Sequence, residues 1–321
     1  MLEPKETWSI VDSSKLDTFQ RCKRKFFYEY ILGWRPDLPA HDLYFGECWH
    51  KAREYQLLHG YDKYLEAFNL FETEYRKEFP EETDELYRPK DPFAVLIALE
   101  KFNDERSSDL TENEVLLTET SGTVPIDSKG RKLHYRMDSV LQRSDGKYFS
   151  WDHKSRKKSF NRQWAEGFQL SIQNGTYTHC MYCMYPIDQV LGVEFCGTAF
   201  DYLVRGSKNR PQGYAIEFLR VPAFKPPDQM NAWLWSVNDL YSELEREMDR
   251  LTYCKEDDKV MMAFPMNDTS CTEYYGCTYH DFCISWQNPL QRCNVTPLGF
   301  REEHWDPSKM ETTYKKNLEW R

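Results

Sequence analysis

Along this chain apolar residues first recur at helical spacing, then at every second position, and the changeovers mark its elements. Residues 13 to 32 place Leu16, Phe19, Phe26, Phe27 and Tyr30 close to a helical period, with Ser13 or Ser14 available to cap the first turn. Pro36 and Pro39 break that pattern, and a second helix is predicted from about 44 to 59. Two further helices are predicted near 62–78 and 92–107, separated by an acidic, proline-containing segment over 80–92. After residue 113 the character changes. Glu114 to Thr120, Leu133 to Gln142 and Tyr148 to Asp152 are rich in β-formers, with turn sequences at Asp127-Ser128-Lys129-Gly130 and Ser144-Asp145-Gly146 between them. A helix over 163–183, strands near 190–204 and 213–220, and an amphipathic helix from Pro227 to about Tyr253 follow; Trp233, Leu240, Leu244 and Met248 are among the apolar positions of the last. The order predicts one α/β domain with helical additions: a helical part over 1–112, able to pack as a semi-separate lobe, a core over 113–255 and a cysteine-rich segment over 256–321.

Composition narrows the classes. With 40% hydrophobic residues, 16% of the chain aromatic, the 321 residues can bury a core, which excludes intrinsic disorder. No uncharged apolar run approaches the roughly 18 residues of a membrane span, and Met1-Leu2-Glu3-Pro4-Lys5-Glu6 lacks the features of a signal peptide. The expected location is therefore the cytoplasm, where reducing conditions disfavour pairing the ten cysteines as disulfides. A net charge of −10 argues against uniform coating of nucleic acid but leaves room for a local basic groove.

The densest chemical signal is His134-Tyr135-Arg136-Met137-Asp138 followed by Phe149-Ser150-Trp151-Asp152-His153-Lys154. Residues 152 and 154 share one face of a strand, and a hairpin would bring Asp138 beside Asp152. Two adjacent carboxylates repel unless a cation neutralises them, and oxygen ligands suit Mg²⁺ or Mn²⁺ better than zinc. A lysine two residues from such a carboxylate can orient the attacking water or stabilise phosphate charge. Asp-x-Lys alone is common on solvated strands, so the neighbouring motifs decide its weight.

Those neighbours resemble the PD-(D/E)XK nuclease superfamily, and within it the RecB-like branch. Gly46-Glu47-Cys48-Trp49-His50, Asp138, Asp152-His153-Lys154 and Gln173-Asn174-Gly175-Thr176-Tyr177 follow one another in the family's order on the expected element types. The resemblance implies a restriction-endonuclease-like core, a mixed central sheet flanked by helices. It implies that His50, Asp138, Asp152 and the backbone carbonyl of His153 ligate Mg²⁺ or Mn²⁺, that Lys154 is catalytic, and that Gln173 and Tyr177, on one helix face, contact DNA or brace the lysine. The chain departs from the family at Arg136-Met137, before Asp138, where a small glycine often stands.

Cys271, Cys277 and Cys283 lie within thirteen residues, with a glycine and few apolar residues between them, which favours metal ligation over core packing. The resemblance to AddB-type helicase–nucleases and CRISPR-associated adaptation nucleases implies an iron–sulfur cluster, [4Fe-4S], with Cys22 of the first helix as fourth ligand. Cys271 stands farther from Cys277 than the AddB-type spacing, leaving Cys254 and Cys293 as alternatives; zinc would use the same thiols. Cys180 and Cys183 read as buried thiols.

Lys154, Arg156, Lys157, Lys158 and Arg162 form an acid-free run, and with Arg21, Lys23, Arg24 and Lys25 they could track a phosphate backbone, with Phe160 and Trp164 stacking on bases; Trp151 reads as core. The whole predicts a metal-dependent DNA exonuclease acting on ends or single strands, a chain of the kind frequent in bacteriophages and in CRISPR adaptation. It would work in a bacterial or phage-infected cell, and its partners would be a separate helicase, a recombinase or CRISPR adaptation proteins. The rival is a DNA-binding scaffold that keeps the fold and does not cut.

Overall fold

The computed structural model describes residues 2–38, 40–206, 212–272, 276–309 and 312–320. Helix α1 (Ser13–Arg21) is capped by Asp12, whose side chain accepts from the Lys15 amide at 2.7 Å, and not by Ser13 or Ser14. The helix expected over 13–32 breaks at Cys22, which is extended (φ −157°) between α1 and α2 (Lys23–Phe26), and a π-helical turn, Phe27–Ile31, completes the segment. The short β1 (Trp34–Pro36) leads into α3 (His41–His59), α4 (Tyr64–Tyr75), α5 (Asp84–Tyr87), α6 (Pro92–Arg106) and α7 (Asp109–Glu112).

A meander of β2 (Asn113–Pro125), β3 (Lys132–Arg143) and β4 (Tyr148–Lys157) follows. The helix expected over 163–183 is two helices, α8 (Arg162–Glu166) and α9 (Ile172–Met184), because the Ser171 side chain accepts from the Asn174 amide and starts a new helix. Then come β5 (Val190–Leu203), β6 (Gly213–Ala223), α10 (Pro227–Tyr253), α11 (His280–Ser285), β7 (Phe300–Glu302) and β8 (Tyr314–Lys315).

The main sheet has the order β6-β5-β4-β3-β2-β8. Neighbours run antiparallel except β4–β5, joined by the crossover through α8 and α9, and β2–β8. β4 extends to Lys157 because it pairs with β5 along its whole length, so Lys154, Arg156 and Lys157 of the basic run are strand and not loop. Leu16, Phe19, Met137, Met181, Phe195 and Trp233 share one core cluster, placing α1, α9 and α10 on one side of the sheet. Phe45, Trp49, Phe71 and Tyr75 of the helical N-terminal part pack with Phe200 of β5 and Ile216 of β6 in a second apolar cluster.

Both ends of the chain are tied to this body. β1 pairs with β7, and Tyr279 Oη donates to the Trp34 carbonyl at 2.6 Å. Lys316 and Leu318 amides donate to the carbonyls of Ser121 and Thr123 at 2.8 and 2.7 Å, laying the C-terminal strand along β2. That approach requires Gly122, where a Cβ would lie 1.8 Å from the Lys316 carbonyl oxygen. Among the described residues no helix is long and apolar enough to cross a membrane.

Candidate active site

The cleft arises where two strands part. β3 and β4 pair only from Ser139–Trp151 to Gln142–Tyr148. The Ser150 hydroxyl pins this end, donating to the Ser139 carbonyl at 2.8 Å. Asp138 and Asp152 are the first residues beyond the last pair, and there the strands separate. The His153 amide donates to Asp138 Oδ2 at 2.7 Å in place of a ladder bond. An N–H and a C=O of one strand residue point to the same side, so the His153 carbonyl also faces the opening.

Helix α3 brings His50 to the same place, with Nδ1 3.2 Å from Asp138 Oδ2. Gly46, one turn earlier, has nothing within 4 Å of where a Cβ would stand, which keeps the mouth open. Lys154 Nζ lies 2.6 Å from Asp152 Oδ1. Gln173 Nε2 donates to Tyr177 Oη at 3.0 Å, fixing the α9 pair against each other. These residues line one cavity of about 340 Å³, walled on its far side by Asp12, Trp305 and Pro307. The structure therefore brings together His50, Asp138, Asp152, His153, Lys154, Gln173 and Tyr177.

Glu119 of β2 is an additional acid that the sequence motifs did not single out. It pairs with Arg136, whose Nε and Nη2 lie 2.8 and 2.6 Å from its Oε2. Its signal was register: counting back from the Pro125–Lys132 pair puts it opposite Asp138.

Burial and charge set these groups apart. Burial works against ionising Asp138, but the His50 charge and hydrogen bond outweigh it and hold this carboxyl well below the usual range. Burial, against the pull of Lys154, raises Asp152 to about 6, and burial together with the Asp138 charge raises Glu119 to about 7. Burial opposes a charged His50 ring, yet Asp138 raises it to about 9. The Tyr177 hydroxyl, buried near Asp152 and Asp138, is pushed well up and stays a neutral donor.

The donor set fits a hard divalent cation. Asp152 is 1% exposed; Lys154 Nζ engages its Oδ1 at 2.6 Å, while its Oδ2 accepts no hydrogen bond from the described residues. A carboxylate buried in that state lacks a partner that a cation would supply. His50, Glu119 and Asp138 each present a ligand atom within 4.8 Å of the others.

The basic residues are placed less uniformly. Arg24 is 3% exposed and donates to the Phe264 carbonyl at 2.8 Å, so burial removes it from any DNA-facing surface. Lys23 is neutralised by Glu243 of α10 at 2.8 Å. Lys157 lies 3.5 Å from Asp42 at the cleft, Arg156 rests over Phe160 and Trp164, Lys158 follows the end of β4, and Arg162 is exposed and paired with Glu166. Phe160 and Trp164, both half-buried, press their ring edges on Gly197 of β5, where a Cβ would lie 2.6 and 2.4 Å from them.

A second cavity, of about 270 Å³, gathers Cys22, Cys271, Cys277 and Cys283 with Met266, Tyr279 and Ile284. Its closure is local: Asn267 Nδ2 and the Ser270 hydroxyl both donate to the Arg21 carbonyl at 2.7 Å, beside the helix break at Cys22. Burial and the neighbouring thiols raise Cys283 to about 11. Cys254 and Cys293, the alternatives, line a different cavity with Leu2, Trp8 and Met248. Cys180 is fully buried in the core.

Among solved structures, the crystal structure of SSO0001 aligns over 75% of this chain and 78% of that chain at 13% identity, with a TM-score of 0.30. No curated protein matches. The family model described as the PD-(D/E)XK nuclease superfamily matches residues 13–186, a stretch that runs from α1 through α9 and holds every cleft residue named above except Asp12, Trp305 and Pro307.

Proposed function

The chain belongs to the PD-(D/E)XK nuclease superfamily, a group of divalent-metal-dependent phosphodiester hydrolases, and we propose that it is a DNA exonuclease acting on ends or single strands. The observation that carries the reading is the cleft itself: His50, Asp138, Asp152 and Lys154 converge where β3 and β4 part, with the buried Asp152 carboxylate paired to Lys154 through one oxygen.

In this reading His50, Asp138, Asp152 and the His153 carbonyl would hold one or two Mg²⁺ or Mn²⁺ ions. Bound there, the cation supplies Lewis-acid stabilisation of the phosphate and lowers the pKa of water. The rest falls to the chain. Lys154, fixed by Asp152, positions the water whose oxygen attacks phosphorus and offers N–H bonds to the charge that grows on the phosphate oxygens as the P–O bond breaks. Tyr177, oriented by Gln173, presents a neutral hydroxyl to the same cleft. Arg156, Lys157, Lys158 and Arg162 would lead a strand toward it by phosphate contacts. Its place would be DNA recombination, end processing or CRISPR adaptation beside a helicase, recombinase or adaptation protein.

The four gathered thiols would hold a [4Fe-4S] cluster, with zinc the competing occupant of the same ligands. The exonuclease reading is tested with linear and covalently closed circular DNA, single- and double-stranded, in Mg²⁺ or Mn²⁺. Short products from linear DNA with intact circles support it; linearised circles would make the enzyme an endonuclease.

A further inference from the structure

Arg24 is a buried charge with no opposite charge beside it. Its neighbours on α2 are matched: Lys23 reaches Glu243 at 2.8 Å and Glu247 at 3.8 Å, and Lys25 reaches Glu29 at 4.0 Å. Arg24, 3% exposed, forms no ion pair with a carboxylate among the described residues. Its Nε donates to the Phe264 carbonyl at 2.8 Å and its amide to the Pro265 carbonyl at 3.2 Å, while its Nη1 is buried without a partner. A guanidinium does not give up its proton in a protein, and a buried charge is costly unless something balances it.

Tyr28 repeats the pattern one turn further on. Its ring is fully buried and stacks on Trp34 and Tyr279, with centroids 5.8 and 5.4 Å away, yet its hydroxyl has no hydrogen-bond partner. A buried tyrosine hydroxyl ordinarily finds one. Both unmet groups belong to the corner that holds the cysteine pocket. Cys22 stands two residues before Arg24, and Met266 of the pocket follows the two carbonyls that fix Arg24. Tyr28 packs on Tyr279, which lines the pocket, and on Phe282, the residue before Cys283. Arg24 and Tyr28 both stand close enough to Cys283 to bear on its ionisation.

Four free thiols do not complete this arrangement. They are neutral near pH 7 and accept hydrogen bonds weakly, so Arg24 would keep an unbalanced charge. Thiolates bound to a metal supply both missing parts, negative charge and strong acceptors. A cation fixed outside the ligands in turn stabilises the more reduced, more negative state of a cluster and strengthens the ligands' hold on the metal.

We infer that Arg24 and Tyr28 are the outer hydrogen-bond donors of an anionic metal–thiolate centre on Cys22, Cys271, Cys277 and Cys283, and that Arg24 is its counter-charge, holding the metal in place and raising its reduction potential. The inference rests on the reading of these thiols as a [4Fe-4S] site and deepens it by assigning two residues that ligate nothing. Both are positioning residues, acting through the sulfurs.

The test uses the full chain purified without oxygen. Elemental analysis identifies the metal, transfer to EDTA gives its rate of loss, and redox titration of the visible absorption gives the potential of the cluster. Arg24→Gln keeps a donor for the Phe264 carbonyl and removes the charge. It should lose metal at least tenfold faster than the native chain, and its cluster should titrate lower by about 59 mV or more, a tenfold change in a one-electron equilibrium. Arg24→Lys restores the charge and should bring both values back toward the native ones, which a role confined to the Phe264 contact does not require. Tyr28→Phe keeps the ring stacks and stands as an independent test should Arg24→Gln not fold; metal loss at least threefold faster is expected. Native rates of loss in Arg24→Gln or in Tyr28→Phe, or loss from Arg24→Lys as fast as from Arg24→Gln, overturn the inference and leave the four-thiol site intact. A native chain that carries neither iron nor zinc overturns both.

Discussion

At the scale of residues, the cleft holds its acids in different protonation states before any ion arrives. Asp152 near 6 and Glu119 near 7 are raised by burial above the ordinary carboxylate range, so both carry protons over a window in which the unfolded chain does not. The stability these two acids contribute is therefore present at low pH and is lost as pH rises from about 4 through 7. A divalent cation needs the ionised forms, and it must also displace the His50 proton held up to about 9 by Asp138. Mn²⁺ should therefore bind at least tenfold more tightly at pH 8 than at pH 5.5, raise the melting temperature more at the higher pH, and release protons measurable by calorimetry in buffers of different ionisation enthalpy. Equal melting shifts at both pH values would contradict the account. Of these cleft positions, spacing along the strands made Asp138, Asp152 and Lys154 legible, while His50, Gln173 and Tyr177 were reached through the family likeness. The His153 carbonyl is backbone and came through the same likeness, and Glu119 was hidden because its pairing is a matter of register across a hairpin.

At the scale of elements, periodicity located most helices and strands but missed where a pattern runs through a break. α10 has the expected bounds, since its apolar stripe is uninterrupted from Pro227 to Tyr253. Apolar residues on both sides of Cys22 concealed the break there, which is stabilised by contacts from residues more than two hundred positions away, the Arg24 amide donating to the Pro265 carbonyl at 3.2 Å. The C-terminal strand was equally invisible: β8 is two residues long and depends on Gly122 for its close approach. Gly122→Ala should force Lys316 away from β2, cost about 1–3 kcal/mol as an overpacking substitution, and expose the tail to trypsin near Lys315 and Lys316. An unchanged melting temperature and digestion pattern would show that the tail does not need this contact.

At the scale of the whole molecule, two features join distant segments: the cleft, walled by α3, the sheet and Trp305, and the cysteine pocket, which joins Cys22 to Cys271, Cys277 and Cys283. Anaerobically purified protein should show the broad visible absorption of an iron–sulfur cluster. Cys277→Ser should lose that absorption and the iron, melt lower, and become sensitive to protease near both Cys22 and Cys283. Colourless protein carrying zinc would assign the thiols to that metal, and protein with neither would make them structural thiols only.

The central claim is that this cleft hydrolyses DNA phosphodiesters with Lys154 beside the bound ion. The most direct measurement follows end-labelled linear DNA in Mn²⁺ or Mg²⁺ with the native chain and with Lys154→Ala, a variant that removes the amine and leaves every proposed metal ligand in place. The account predicts metal-dependent degradation by the native chain, lowered by about 10²–10³-fold or more in the variant while Mn²⁺ is still bound. Cleavage undiminished in Lys154→Ala, or absent from a native chain that binds both Mn²⁺ and DNA, would contradict it.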